Sequence, residues 1–242
     1  MKKRILAAAL ALTLCGSMLP VSALAAASME NFQMTQTYRI GQFTDVNAAS
    51  WYAESVETAY ELGLVLGTSD TTFEPNGNIT INSALALACR LHSIYNTGKA
   101  DFQQGTPWYQ VYVDYALENG LITQGQFSNY NANATRRQFA AILAKALPAA
   151  ALSAINTVED GAIPDVSMSS AYADSIYLLY RAGVLTGTNE GKFAPEDNIT
   201  RSGVAAIVAR MAVPDLRQTL DTDQVAVTGL TLNRTSLSLN EG

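Results

Sequence analysis

The feature that most constrains this chain is that it repeats itself. Asp45-Val46 recurs as Asp165-Val166, 120 positions later. Without a gap, the same shift carries Tyr52 to Tyr172, Tyr60 to Tyr180, Gly63 to Gly183 and Gly67-Thr68 to Gly187-Thr188. It continues with Phe73 to Phe193, Pro75 to Pro195, Asn78-Ile79-Thr80 to Asn198-Ile199-Thr200 and Arg90 to Arg210. A degenerate copy lies between the two. Trp108-Tyr109 matches Trp51-Tyr52, Gly120 matches Gly63, and Ala134-Thr135 matches Ile79-Thr80, with a shortened loop in which Phe127 stands in for Phe73. A unit of about 50–60 residues buries too little surface to be stable alone, so the copies must share one core.

Each copy reads as two helices around a structured loop. Val56, Ala59, Tyr60 and Leu62 have helical spacing, and Gly63 follows as a C-terminal cap. Gly67 to Asn78 is rich in Gly, Asp, Thr, Pro and Asn and cannot be helix interior. Thr80, Thr135 and Thr200 then open the second helices, and Thr135 and Gln138 stand at capping-box spacing. Leu85/Ala88, Phe139/Ile142/Leu143 and Val204/Ile207/Val208 are candidates for the shared core. The three Asn-X-Thr triplets at these junctions read as loop-to-helix transitions rather than glycan acceptors.

The ends and the charge balance bound the setting. Lys2, Lys3 and Arg4, a short apolar run and a small-residue close at Ala23–Ala27 read as a secretory signal peptide over residues 1–27. Its removal takes Cys15 and leaves Cys89 as one thiol, expected to be a buried hydrophobe rather than a nucleophile. His92, the sole histidine, cannot build a zinc cluster and is expected near a helix end, where a charged imidazole would suit the dipole. No cofactor, metal or catalytic residue is expected. Beyond residue 27 the chain holds 12 basic and 21 acidic side chains, a balance of −9. Diffuse attraction to nucleic acid is excluded, and an anionic ligand would have to be held by a few placed arginines.

Phe43-Thr44-Asp45-Val46, Trp51-Tyr52, Gly63, Gly67-Thr68, Phe73-Glu74-Pro75 and Ile79-Thr80, with the helix that follows, resemble the S-layer homology repeat. Pro164-Asp165-Val166 through Ile199-Thr200-Arg201 resemble it again. The resemblance implies an all-α fold: three tandem two-helix-plus-loop repeats in a pseudo-threefold bundle, at residues 42–98, 99–150 (degenerate) and 160–214. It also implies grooves between repeats that bind an anionic secondary cell wall polysaccharide, commonly through a pyruvylated sugar. The exported protein would then be anchored non-covalently to the wall or cell surface. The family's binding arginine maps to Arg136 and Arg201, while Ile81 stands there in the first copy. An arginine in a first helical turn sits beside unpaired N–H groups, and guanidinium and backbone together would suit a carboxylate. Asp45 and Asp165 are candidates for sugar hydroxyls or turn caps, Trp51 and Trp108 for stacking on a sugar or inter-repeat packing, and Gly67 and Gly187 for close approach of ligand or a turn. Ala171 replaces the tryptophan in the third copy.

Residues 215–224 read as a linker, and Val225 to Leu239 alternate like the opening of a bacterial Ig-like (group 2) domain, too short for a sandwich. A fragment of a longer protein is the favoured reading of this short β-type tail. Two other classes stay open: a structural surface scaffold whose grooves grip protein partners, and the targeting module of a wall hydrolase. Glu57/Glu61 is a carboxylate pair of the kind an enzyme would use, but at helical spacing it reads as a solvated face.

Overall fold

The computed structural model describes residues 26–220 except Asn189. The predicted signal peptide, apart from Ala26 and Ala27, and the predicted Ig-like tail lie outside the described residues. Six α-helices carry the fold: α1 (Ala53–Glu61), α2 (Ile81–Thr97), α3 (Gln110–Glu118), α4 (Arg136–Leu143), α5 (Ala173–Arg181) and α6 (Arg201–Ala212). Three short 3-10 turns accompany them, at Met29–Asn31, Ala149–Leu152 and Pro214–Leu216. The expected all-α class is what the chain adopts.

The local chemistry sets the helix ends. Thr135 and Gln138 close the capping box reciprocally, and Thr200 Oγ1 accepts from the Gly203 amide. Gly63, Gly120 and Gly183 each take positive φ one residue past the caps of α1, α3 and α5, where an L side chain would be strained.

The helices pack out of register with the sequence copies. α2 lies against α3, α4 against α5 and α6 against α1, so the second helix of each copy covers the first helix of the next, and the last returns to the first. The loops complete the ring through three antiparallel bridges: Asn78 with Thr200, Thr80 with Asn133, and Thr135 with Asn198. The core lines this ring. Leu85, Ala88 and Leu91 from α2, Phe139, Ile142 and Leu143 from α4, and Val204 and Val208 from α6 are buried with Val56, Ala116 and Ile176 from the outer helices. Cys89 is buried as expected; its Sγ donates to the Tyr112 carbonyl at 3.3 Å, and burial pushes the thiol up to about 12.

Three expectations need correction. His92 lies within α2 rather than at its end, its Nδ1 sits 2.8 Å from the Tyr115 hydroxyl, and burial lowers its pKa, favouring the neutral ring. The packed body also begins before residue 42: the amides of Thr35 and Gln36 donate to the Glu61 carbonyl, as those of Ile155 and Asn156 do to Arg181. Finally, the first part of the supposed linker is docked. The Gln218 amide donates to Gly183, the Leu220 amide to Asn156 Oδ1, and Arg217 Nη2 to Ala151.

Candidate functional site

Ring closure places each loop beneath parts of two other copies. Loop 1 (residues 64–79) receives the first turn of α6: the amides of Arg201 and Ser202 donate to Gly77 and Pro75. Loop 3 (184–199) receives α4, with Arg136 and Arg137 donating to Asp197 and Pro195. Loop 2 (121–134) receives α2, with Ile81 and Asn82 donating to Ala132 and Tyr130. The expectation that these amides are free donors for a carboxylate is therefore corrected. They are the hydrogen bonds that join one copy to another.

The arginine side chains follow the same cross-copy pattern. Arg201 Nε donates to the Phe73 carbonyl (2.6 Å) and Nη2 to the Leu66 carbonyl (2.7 Å), with the guanidinium 4.6 Å above the Phe73 ring. Arg136 Nε donates to the Phe193 carbonyl (2.7 Å), its guanidinium 4.9 Å above the Phe193 ring. Burial lowers both arginine pKa values, yet both stay charged at any ordinary pH. Among the described residues neither forms an ion pair. Among the described residues, Nη1 and the second hydrogen of Nη2 of Arg201 have no protein partner, and neither terminal nitrogen of Arg136 has one. Ile81 at the equivalent place is buried instead (4% exposed).

The loop-1 groove has a volume of about 300 Å³. Arg201, Gly67, Phe73, Leu66, Arg90 and Trp108 are among its lining residues, so it joins three sequence-predicted residues drawn from three copies. Two guanidinium groups face it and, among the described residues lining it, no carboxylate does. Asp45 and Glu74 temper the Arg201 charge from behind. The loop-3 groove repeats the plan with Trp51, Gly187 and Arg210, but Glu190, Lys192 and Asp197 also line it, making it mixed in charge. Arg136 is not among its lining residues; it reaches this loop through Phe193, next to the lining residue Ala194. The loop-2 groove is lined by Phe127, Gln138, Ala141, Ala171, Tyr172 and Arg137, the last paired with Glu196 at 3.1 Å.

The remaining predicted residues divide by role. Trp51 and Trp108 are 69% and 40% exposed and line grooves formed with the loop of another copy. Asp45 and Asp165 do not face ligand freely. Asp45 accepts from the amides of Phe73 (2.8 Å) and Glu74 (2.7 Å), and Asp165 accepts from Phe193 (2.8 Å) and Ala194 (2.7 Å). Burial alone would raise the Asp45 pKa, but the Phe73 and Glu74 amides and the Arg201 charge together hold it below the usual carboxylate range. Gly67 is fixed by packing: a Cβ there would come 2.2 Å from the Ser69 carbonyl oxygen and 2.5 Å from the Phe43 ring. Gly187 has φ +78°, and a Cβ would meet the Tyr180 hydroxyl at 2.7 Å. Both glycines line their grooves through backbone that nothing larger could occupy.

Arg90 and Arg210 were missed as site residues, although the repeat alignment had already paired them. Arg90 donates to Leu64 and to the Tyr112 hydroxyl, both at 3.3 Å, and Arg210 to Val184 at 3.3 Å. Neither meets an acid within ion-pair distance among the described residues. Their recurrence without an acidic partner on the same helix was the available signal.

The S-layer homology domain family matches residues 42–80 and 162–202. The chain is 28% identical over 174 residues to the endoglucanase of Bacillus sp. (strain KSM-635), covering 70% of this chain and 18% of that protein. It is 29% identical over 114 residues to the surface-layer 125 kDa protein of Lysinibacillus sphaericus, covering 43% of this chain and 10% of that one. The amylopullulanase of Thermoanaerobacterium thermosulfurigenes matches at 28% over 174 residues, 69% of this chain and 9% of the other. The chain thus spans less than a fifth of the length of each of these relatives.

Proposed function

We propose that this chain is an S-layer homology protein, as the family match at residues 42–80 and 162–202 supports, and that it anchors an exported protein to the bacterial cell wall by gripping an anionic secondary cell wall polysaccharide. In this reading residues 42–98, 99–150 and 160–214 are three repeats, 1–27 a secretory signal and 225–242 the start of a further domain. The relatives support a binding role. One stretch is shared by proteins named as an endoglucanase, an amylopullulanase and a surface-layer protein, so it does not distinguish their chemistries. What such proteins have in common is a place to be held.

One observation carries the ligand class: the loop-1 groove offers Arg201 and Arg90 beside an exposed indole, in a chain whose overall charge is negative. A carboxylate takes the free Nη1 and Nη2 hydrogens of Arg201 as charge-assisted donors, and the face of a sugar ring lies on Trp108. A sugar bearing a pyruvate ketal supplies both groups in one residue. The loop-3 groove, lined by Arg210 and Trp51, is the second site, with Arg136 bound to its loop through the Phe193 carbonyl; the loop-2 groove is silent.

Isothermal titration of the chain with a pyruvylated disaccharide, and with the same sugar after removal of the ketal, tests this reading. Binding should require the ketal, and the stoichiometry should be two. Equal heats for the two sugars would defeat the carboxylate assignment.

A further inference from the structure

The aspartates and arginines described above are joined through a single peptide group. The Phe73–Glu74 peptide presents its N–H to Asp45 Oδ2 at 2.7 Å and its carbonyl to Arg201 Nε at 2.6 Å. The Phe193–Ala194 peptide does the same between Asp165 Oδ2 (2.7 Å) and Arg136 Nε (2.7 Å). An anion on the donor side and a cation on the acceptor side polarise a peptide in the same sense, so each bond strengthens the other. The peptide can stand this way because Glu74 and Ala194 both take φ near +57°, and they are the only non-glycine residues in that region among the described residues.

Loop 2 lacks every part. Ile81 replaces the arginine, and Phe102 stands six positions before Trp108, where Asp45 stands six before Trp51. Among the described residues no carboxylate accepts from the backbone of residues 121–133, and no non-glycine residue there has positive φ. Asp45 and Arg201 come from different copies, 156 positions apart. Their equivalents vanish together at the one junction where the loop backbone is unstrained, as parts that serve only as a set would.

We propose that Asp45 and Asp165 are positioning residues: each holds a flipped loop peptide whose carbonyl fixes the arginine of another copy, which at loop 1 aims Arg201 into the groove. This rests on the reading of those grooves as ligand sites. It predicts crossed specificity, in which Asp45 governs Arg201 and Asp165 governs Arg136. The positive φ of Glu74 and Ala194 is the strain that accompanies this aim.

Side-chain Nε–H resonances of the 15N-labelled full chain, recorded without ligand, test it. Asp45→Asn should move the Arg201 Nε–H peak and leave that of Arg136 in place, and Asp165→Asn should do the reverse. Should Asp45→Asn fail to fold, Arg201→Ala supplies the reciprocal measurement: the Glu74 amide peak should move while that of Ala194 stays. An unmoved Arg201 peak in folded Asp45→Asn, an unmoved Glu74 amide in Arg201→Ala, or both arginine peaks shifting in either aspartate variant would overturn the relay. With the peaks moving as expected, Asp45→Asn should also weaken binding of the pyruvylated disaccharide severalfold. A separate result, Arg201→Ala binding that sugar as tightly as the parent, sinks the groove reading instead, so the two failures are told apart.

Discussion

The loop-1 and loop-2 junctions are built on the same ring, with the same pair of backbone hydrogen bonds into the first turn of a helix, yet they differ in nearly every side chain that could meet a ligand. At loop 1 the helix brings Arg201, the next copy brings Trp108, and the groove's own helix brings Arg90. At loop 2 those places hold Ile81, Ala171 and Lys145. The backbone bonds recur at both junctions, where they join one copy to another, whereas the side chains diverge. In the proposed reading the ring uses three junctions and the ligand two.

The comparison can be broken most forcefully at the arginines. Removing both in Arg136→Ala/Arg201→Ala should lower affinity for purified wall polymer by more than about a hundredfold, since each charge-assisted contact contributes roughly 1.5–3 kcal/mol. Titration calorimetry would register this, and Arg201→Ala should account for the larger share. Retention of parental affinity in the double variant would remove the distinction between the junctions. The next largest effect falls on stability. Ile81→Arg places a cation where a buried side chain packs, at a cost of about 2–4 kcal/mol, and calorimetric melting should show a clearly lower Tm with no third binding event. A gain of a third site would mean that the arginine alone makes a groove competent.

Two smaller effects sharpen the contrast. Trp108→Ala should weaken polymer binding about fivefold, from the loss of roughly 1 kcal/mol of stacking, and Trp51→Ala by less because that indole is the more exposed. The acid limb should differ as well. A carboxylate whose folded pKa is depressed contributes stability above its unfolded value of about 3.9, lost as pH falls through the folded value. The Tm gap between the parent and Asp45→Asn should accordingly close as pH is lowered from 5 toward 2. A gap that stays constant would show that Asp45 acts by shape rather than by charge.

Much of this was legible beforehand, and the reason is local. Helix starts at Thr135 and Thr200, the glycine caps and the buried Cys89 follow from propensity, capping chemistry and apolar spacing, which act over a few residues. The site was legible only in its members. A linear repeat says that Arg201 and Asp45 recur in kind, but not that the α6 arginine falls on the loop of the first copy, because that depends on how the ring closes. The same gap hid the partners of Asp45. An aspartate before a turn reads as a local cap, whereas the amides that donate to it lie 28 and 29 residues on and lead to another copy. His92 was misplaced for the opposite reason: α2 runs on past it to Thr97.

The return of α6 onto α1 has a consequence in time. Polypeptide leaving an export channel amino end first would present Trp51, Arg90 and Trp108 early, yet Arg201 and the Gly187 loop emerge last. Neither groove exists until the final helix has crossed and docked. In the proposed reading, a chain exported only as far as α5 would hold neither groove, and polymer binding would follow the docking of α6 on α1.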